Sequence, residues 1–291
     1  MSFVYAEKKM IIDQESIFIH CDTKIGLSND DITNFSVEEI GLIKKYGIVK
    51  ISIIGEKISI AFAGNNIFLA TELFTQLYKK KTFSVEEAIE LAYAIHRSAK
   101  SFSDIEFIIC SADDNNLRID CIKDGNVQYD CSSAWLGSYD AFREFQHIRN
   151  SDLSKNPVDM TDNAFQRVVQ GCGDDSVGLF HISASYRPDL KCFWYSEKSG
   201  FFSDKKQIVN SGETIKFFLD PCDGGFSYHQ FSYHFDSMVM KIDQMERMIL
   251  YSRSHRMSES NNNNPNRFGL MLPMMVKQNG NGDIVRCSIG D

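Results

Sequence analysis

Asp22, Lys50 and Gly64 are residues that suit a nucleophile at the start of the chain, and Ser2 is placed to be that nucleophile. If Met1 is removed, the chain begins with a serine that carries a hydroxyl and a free α-amine, which is a nucleophile and a base in one residue. Removal is expected because methionine-trimming enzymes accept a small second residue such as serine. The pKa of a free α-amine is ordinarily about 7.7–8.0, so part of it is neutral near pH 7 and can take the hydroxyl proton. The functional question therefore depends on processing at Met1.

Strand pairs are expected to position these side chains. Residues 3–6 and 16–21 are apolar runs separated by a polar stretch, which predicts a β-hairpin that ends near Asp22. Residues 47–54 and 57–62 predict a second pair around a tight turn. Alternation between apolar and polar residues is imperfect in the second pair, as is typical of strands that are covered on both faces.

From residue 65 to about residue 200, the sequence predicts further helices and strands in an α+β order. Helices are predicted at 65–80, at 84–99, where Ser84 and Glu87 form a capping-box pattern, and at 161–171. The remaining predicted strands are 104–110, 116–122, 126–131, 177–185 and 190–196. This order suits two stacked sheets with helices on their outer faces, although periodicity alone leaves other α+β folds open.

Three stretches resemble the proteasome β-subunit family of N-terminal-nucleophile hydrolases, and bacterial HslV-type and Anbu-type members in particular. They are the opening hairpin from Ser2 to Lys24, the segment from Lys50 to Gly64, and Leu136-Gly137-Ser138. The second is the most specific, because its interval between lysine and glycine matches the family and it ends in the family's Ala-Gly. The resemblance covers roughly residues 2–200.

The resemblance implies a four-layer αββα sandwich with a C-terminal extension. We expect residues 1–202 to form the proteasome-like domain and residues 203–291 to form the extension, which contacts other subunits or packs on the core. The extension holds an amphipathic, methionine-rich stretch near 234–252, an asparagine run at 261–264 and a final hairpin around 279–282.

The resemblance also implies a role for each site residue. Ser2 would attack the carbonyl carbon, and Lys50 would stabilise the alkoxide and hold down the pKa of the α-amine by like-charge repulsion. Asp22 would fix Lys50 as an ion pair, and the backbone N–H of Gly64 would bind the oxyanion. The supporting residues Ser138, Asp174 and Ser176 complete the expected catalytic set. The ring of Phe62 would lie near the specificity pocket.

Two functions remain open from the sequence. The first is a peptidase or amidohydrolase that acts on a peptide or protein through Ser2. The second is a catalytically silent scaffold or binding subunit that retains Met1, in which Asp22 and Lys50 are a structural ion pair. Either would assemble as a homo-oligomeric ring or open helical array, and an ATPase is a possible partner.

The interval between Asp22 and Lys50 is longer than is usual in the family. The extra length includes Ser36-Val37-Glu38-Glu39, a second capping-box pattern, so a short helix or lid beside the site is expected.

Composition argues against several other classes. The chain has 31 basic and 39 acidic residues, a formal net charge of −8, and no long basic run, so a nucleic-acid surface is not expected. No apolar run has the roughly 18 residues that a membrane helix needs. The start is too charged for a signal peptide, and we expect a cytoplasmic protein.

Metals and cofactors are not expected from the sequence. The eight cysteines contain no C-x-x-C pair and are predicted to be free thiols in a reducing compartment. His229 and His234 have no carboxylate at metal-ligand spacing. No P-loop or Rossmann glycine pattern is present, so nucleotide binding by those means is not expected.

Overall fold

The computed structural model describes most of the chain from Ser2 to Tyr195 and five strands beyond it. The described ranges are 2–11, 13–27, 35–54, 56–80, 82–113, 116–152, 156–171, 177–178, 180–195, 227–230, 237–242, 247–253, 271–278 and 284–286. These residues form a mixed α+β structure whose sheets are antiparallel.

The elements follow one another in the order expected of an α+β chain. The strands are β1 (Phe3–Ile11), β2 (Gln14–Asp22), β3 (Ile51–Ile53), β4 (Ile58–Gly64), β5 (Ile105–Asp113), β6 (Asn116–Lys123), β7 (Asn126–Gln128), β8 (Ser133–Gly137), β9 (His181–Arg187), β10 (Cys192–Tyr195), β11 (Ser227–Gln230), β12 (Ser237–Ile242), β13 (Arg247–Arg253), β14 (Met271–Gln278) and β15 (Ile284–Arg286). The α-helices are α1 (Val37–Tyr46), α2 (Ile67–Lys79), α3 (Val85–Ser98), α4 (Tyr139–Ser151) and α5 (Pro157–Gly171), and a short 3-10 helix spans Phe102–Asp104.

The described strands form three five-stranded sheets. The first has the order β10-β9-β2-β1-β8, the second β3-β4-β5-β6-β7 and the third β11-β12-β13-β14-β15. In the first sheet β1 has a neighbour on each side: Val4 pairs with Cys21 of β2 and with Leu136 of β8. The chain therefore places its first described strand inside a sheet, where both edges are hydrogen-bonded.

Three buried clusters hold the first two sheets and the five α-helices together. One contains residues of both sheets, among them Val4, Ile19, Ala61, Ile108 and Ile119. The second joins the second sheet to α2 and α3. The third joins the first sheet to α4 and α5.

Strand β1 shows how a strand can be covered on both faces. Phe3 and Tyr5 belong to the cluster with α4 and α5, whereas Val4 and Ala6 belong to the cluster between the sheets. Successive side chains point to opposite faces of a strand, and here both faces are buried. In the second pair, β4 is likewise buried at every position, so the expectation of strands covered on both faces is confirmed.

A buried polar cluster links β1 to both helices of the first sheet. The Glu7 carboxylate lies 2.6 Å from Lys9 Nζ, and it accepts hydrogen bonds from Thr161 Oγ1 at 2.6 Å and from Arg149 Nη2 at 2.8 Å. Arg149 also donates to Tyr5 Oη at 2.9 Å. Because every one of these contacts is directional, the cluster fixes α4 and α5 on β1 more specifically than apolar packing alone.

Both capping boxes are formed. Ser36 Oγ accepts from the Glu39 N–H and the Glu39 carboxylate accepts from the Ser36 N–H, so α1 begins where the pattern predicted. Ser84 and Glu87 make the same pair of hydrogen bonds at the start of α3. The expected helix between Asp22 and Lys50 is therefore present.

Three elements up to Tyr195 were not predicted from the sequence: β8, α4 and the 3-10 helix at Phe102–Asp104. Strand β8 is short and partly exposed, and α4 begins at once after it, with Ser138 as its N-cap. Helix α4 is polar on average, and its buried residues are only Ala141, Phe145 and Ile148. All the helices and strands that were predicted up to Tyr195 are present, with bounds that differ from the prediction by a few positions.

The expected C-terminal extension contains the third sheet. The methionine-rich stretch lies partly in β12 and β13, which pair so that Met240 is opposite Ile249. The final hairpin is confirmed, because Gln278 of β14 pairs with Ile284 of β15. Residues 261–264 lie outside the described residues.

None of the helices that the structure describes is both long enough and apolar enough to cross a membrane. Five of the eight cysteines lie among the described residues, and all five are free thiols: Cys21, Cys110, Cys121, Cys131 and Cys192. The prediction of free thiols is confirmed for these five.

Candidate functional site

The Asp22 carboxylate is the centre of the site. It lies at the end of β2, is fully buried, and binds three donors. Oδ1 accepts from the Phe3 N–H at 2.9 Å and from Lys50 Nζ at 2.5 Å, and Oδ2 accepts from the Gly178 N–H at 3.2 Å. Burial raises the pKa of Asp22, while the Lys50 ammonium and the two backbone donors oppose that rise.

Lys50 is buried completely and has two partners. Its ammonium binds Asp22 and donates a hydrogen bond to the carbonyl oxygen of Lys24. Lys50 lies just before β3, and its own carbonyl accepts from the Phe62 N–H of β4 at 3.1 Å. The lysine is therefore held at both ends, by the second sheet at its backbone and by the Asp22 end of the first sheet at its side chain.

One oxygen of Asp22 brings the lysine to the N-terminal residues. Lys50 Nζ and the Phe3 N–H bind the same Oδ1 atom, so the ammonium lies beside the peptide bond that joins Phe3 to Ser2. The structure thus assembles Ser2, Asp22 and Lys50 in one place, from the starts of β1 and β3 and the end of β2.

Ser2 is fully buried and is anchored through its backbone. Its carbonyl oxygen accepts a hydrogen bond from the Ser138 N–H at 2.7 Å. Its Oγ is buried and makes no hydrogen bond to any residue in the described part of the chain. A buried hydroxyl without a partner is costly, so this atom marks a place where a proton acceptor or a ligand would be favourable.

Gly137 and Gly64 are glycines for steric reasons. Gly137 has φ of +86°, and a Cβ atom there would lie 1.8 Å from the carbonyl oxygen of Ser2. Gly64, at the end of β4, has φ of +137°, and a Cβ atom there would lie 2.1 Å from the carbonyl oxygen of Asp104. Gly64 pairs with Ile105 of β5, and its expected oxyanion role stays a prediction.

Ser138 is brought to the site through its backbone. Its N–H binds Ser2, and its hydroxyl accepts from the Ala141 N–H at 3.2 Å as the N-cap of α4. Asp174 and Ser176 lie outside the described residues. Phe62 is buried among α2 residues, with its ring 6.1 Å from that of Phe74, and its expected place near a specificity pocket stays a prediction.

Glu106 is a buried carboxylate that sequence reasoning did not identify. It accepts from the Gly137 N–H at 2.9 Å, next to the residue that holds Ser2. Burial raises the pKa of Glu106, and Lys123 acts in the opposite direction. Glu106 follows Ile105, the partner of Gly64, so it links the Gly64 end of the second sheet to β8.

A second cluster of titratable side chains, two imidazoles and a carboxylate, lies between the first sheet and α5. His20 Nδ1 of β2 is 3.0 Å from His181 Nε2 of β9, and the two atoms are 3.8 Å and 3.9 Å from Asp162 Oδ1 of α5. No local sequence pattern points to this cluster, because its members are far apart in the chain. The same holds for Gly178, whose N–H donates to Asp22 from 156 positions away in the sequence.

Neither a scan against models of protein families nor a search of curated proteins finds a match to this chain.

Proposed function

We propose that this chain is an N-terminal-nucleophile hydrolase that cleaves peptide or amide bonds through Ser2 after Met1 is removed. The observation that carries the proposal is the shared Asp22 oxygen, which holds the Lys50 ammonium beside the backbone of the nucleophile. A fixed positive charge at this position would stabilise a serine alkoxide without the need to reorganise during the reaction.

The arrangement of the elements supports the finer fold that the resemblance implies. Two five-stranded antiparallel sheets share one apolar cluster, and each sheet has its own cluster with a pair of helices. Such a layout is expected of a four-layer αββα sandwich, with α2 and α3 outside one sheet and α4 and α5 outside the other. The proteasome-like, N-terminal-nucleophile form of that sandwich is part of the proposal.

Each step of the reaction has a group to perform it. The Ser2 hydroxyl attacks the carbonyl carbon of the substrate while its proton passes to the α-amine of Ser2. The protonated amine then gives a proton to the leaving nitrogen as the C–N bond breaks, and water hydrolyses the acyl-serine ester. Lys50 stabilises the alkoxide, Asp22 holds Lys50, and the Gly64 N–H binds the oxyanion. Ser138 fixes the backbone of Ser2.

One observation favours a second function. Ser2 and Lys50 have no exposure to solvent, and the Lys50 ammonium is bound by Asp22 and by the carbonyl oxygen of Lys24. A chain that keeps Met1 in this arrangement has no free amine at Ser2 to act as a base. Such a chain would be a proteasome-like scaffold or binding subunit.

The test begins with the mass of the intact protein from its native host. Under the proposal, the mass is that of the chain without Met1 and without an acetyl group. An electrophile that acylates hydroxyls, such as a β-lactone, should then add its mass once per chain, to the peptide that begins at Ser2. Retained Met1 or an acetylated Ser2 would exclude the hydrolase and leave the scaffold.

Activity on a panel of fluorogenic peptides gives the second readout. Ser2→Ala should abolish hydrolysis and labelling, whereas Ser132→Ala, a change to an exposed serine, should leave both unchanged. Hydrolysis by the Ser2→Ala protein at the wild-type rate would contradict the proposal.

A further inference from the structure

His20, His181 and Asp162 come from three elements that the fold brings together. His20 is on β2 and His181 is on the adjacent strand β9, where the register puts His181 opposite Asp22, two positions along from His20. Asp162 is in the first turns of α5, which packs on these strands. Both imidazoles are 2% exposed, and the Asp162 side chain is 28% exposed. The cluster thus has two buried ligands and one that reaches the surface.

We propose that these three residues bind a divalent transition-metal ion, with zinc as the natural probe. The three atoms that face one another are His20 Nδ1, His181 Nε2 and Asp162 Oδ1, at separations of 3.0, 3.8 and 3.9 Å. A point equidistant from the corners of that triangle is about 2.1 Å from each of them, by the geometry of its three sides. Zinc–nitrogen and zinc–oxygen bonds have lengths of about 2.0–2.2 Å.

The adjustment that binding requires is small. Ligand atoms around a tetrahedral zinc ion are about 3.3 Å apart, as bond lengths of about 2.0–2.1 Å dictate. The two imidazole nitrogens would therefore separate by a few tenths of an ångström, and the Asp162 oxygen would move inward by about half an ångström. Asp162 is the partly exposed member of the three, so rotation of its side chain can supply that movement.

The chemistry of the donors selects the class of metal. Two imidazoles and one carboxylate suit zinc, iron, copper or nickel, whereas calcium and magnesium prefer oxygen ligands. With two neutral imidazoles and one carboxylate as ligands, the complex of a divalent ion has a net charge of +1. A fourth position remains for water on the side where Asp162 meets solvent, as in three-ligand zinc sites.

The surroundings are suited to hold the ligands still. The Phe165 ring lies one turn from Asp162 on α5, and its centroid is 5.5 Å from that of His20 and 4.7 Å from that of His181. Aromatic packing on both imidazoles restricts their rotation, which lowers the entropy lost on binding. The ion would join α5 to β2 and β9 beside the Asp22 end of the sheet.

The experiment uses full-length protein that was produced without a polyhistidine tag and was freed of metal with a chelator. Cobalt(II) is titrated into the protein, and the visible absorption bands of the ion are followed. Zinc affinity is then measured by competition with a chromogenic chelator. We expect one equivalent of metal per chain, a dissociation constant for zinc in the micromolar range or below, and a rise in the unfolding temperature when zinc is added.

Two variants locate the ion. Asp162→Asn and His181→Ala should each weaken zinc binding by about a hundredfold or more, whereas His147→Ala, a change to an exposed histidine on α4, should leave it unchanged. Asp162→Asn serves as the decisive variant, since it changes a partly exposed residue and should unfold like the wild type without metal.

Two results would overturn the proposal. One is the lack of stoichiometric binding by the wild type at about 100 µM zinc, which would leave the two imidazoles as a simple N–H···N pair; the concentration is about 100-fold above a micromolar dissociation constant. The other is unchanged affinity in Asp162→Asn, which would assign any bound ion to another part of the chain. Neither result bears on Ser2, so this inference and the proposed hydrolase fail separately.

Discussion

Gly137 leaves the space that the carbonyl oxygen of Ser2 occupies. A Cβ atom at position 137 would lie 1.8 Å from that oxygen, and the backbone at Gly137 has φ of +86°. Any other residue would therefore have to move the backbone of Ser2 and, through Phe3, the hydrogen bond to Asp22. The position of the proposed nucleophile depends on a missing side chain on a neighbouring strand.

Replacement of Gly137 by alanine is expected to be strongly destabilising. Both the positive φ and the backbone clash oppose the change, and each is worth roughly 1–3 kcal/mol. The free energy of unfolding, measured with urea, should fall by at least about 2 kcal/mol.

Gly41→Ala is the matched control for that change, since Gly41 is exposed in α1 and has open space around its Cα. The control variant should gain about 0.5–1 kcal/mol, because alanine favours a helix interior. Equal effects from the two variants would contradict the steric account.

The buried pair of Asp22 and Lys50 predicts non-additive stability effects. Lys50→Met should lower the free energy of unfolding by about 3–5 kcal/mol, because it leaves a carboxylate buried without its counter-charge. Asp22→Asn should be costly for the same reason. The double variant has no buried charge at this place, so its loss should be smaller than the sum of the single losses by about 1 kcal/mol or more, the coupling expected of residues in contact. Additive losses in a urea-unfolding cycle would show that the pair is not coupled.

Glu106 predicts a pH dependence of stability. Burial raises the pKa of Glu106 above the ordinary value of 4.5, so the folded protein keeps the proton after the unfolded chain has lost it. Its contribution to stability is therefore complete below pH 4.5 and is lost as the pH rises through the raised pKa. Glu106→Gln keeps an acceptor for the Gly137 N–H but does not titrate.

The comparison of Glu106→Gln with the wild type isolates this carboxyl, because Asp22, whose pKa is also raised, is present in both proteins. The difference in unfolding free energy should move in favour of the variant as the pH is raised from 4 to 8. A difference that is constant with pH would rule out a raised pKa for Glu106.

The capping box of α3 predicts a smaller, local effect. Ser84→Ala removes the acceptor of the Glu87 N–H and should lower the free energy of unfolding by about 1 kcal/mol. Ser84→Asp retains an acceptor and should recover most of that loss. Thermal unfolding of the wild type and the two variants gives their order of stability. A Ser84→Ala protein as stable as the wild type would mean that α3 does not need its cap.

Local structure could be predicted well from the sequence. Capping boxes and apolar spacing depend on residues a few positions apart, so α1, α2 and α3 could be placed directly. Ser2, Asp22 and Lys50 could be grouped only because the segments that contain them resemble those of a known family. The structure brings these three together through one carboxylate oxygen, while their catalytic roles stay a prediction.

Contacts between residues far apart in the chain could not be predicted from the sequence. Gly178, Glu106 and the pair of His20 with His181 reach their partners through strand register, which no local pattern encodes. The packing of Phe62 is a further example. Alternation along β4 puts Phe62 on one face of the second sheet, and only the position of α2 decides that this face is packed with Phe74 rather than open.

The inner position of β1 has a consequence for protein synthesis. Pairing of β1 with β8 must wait until β8 has been made, which takes roughly 6–30 s after β1 at translation rates of about 5–20 residues per second. Once the sheet closes, Ser2 is inaccessible. Under the proposed function, an aminopeptidase would have to remove Met1 from the nascent chain before the sheet forms, so the rate of translation would affect the time in which the proposed nucleophile can be exposed.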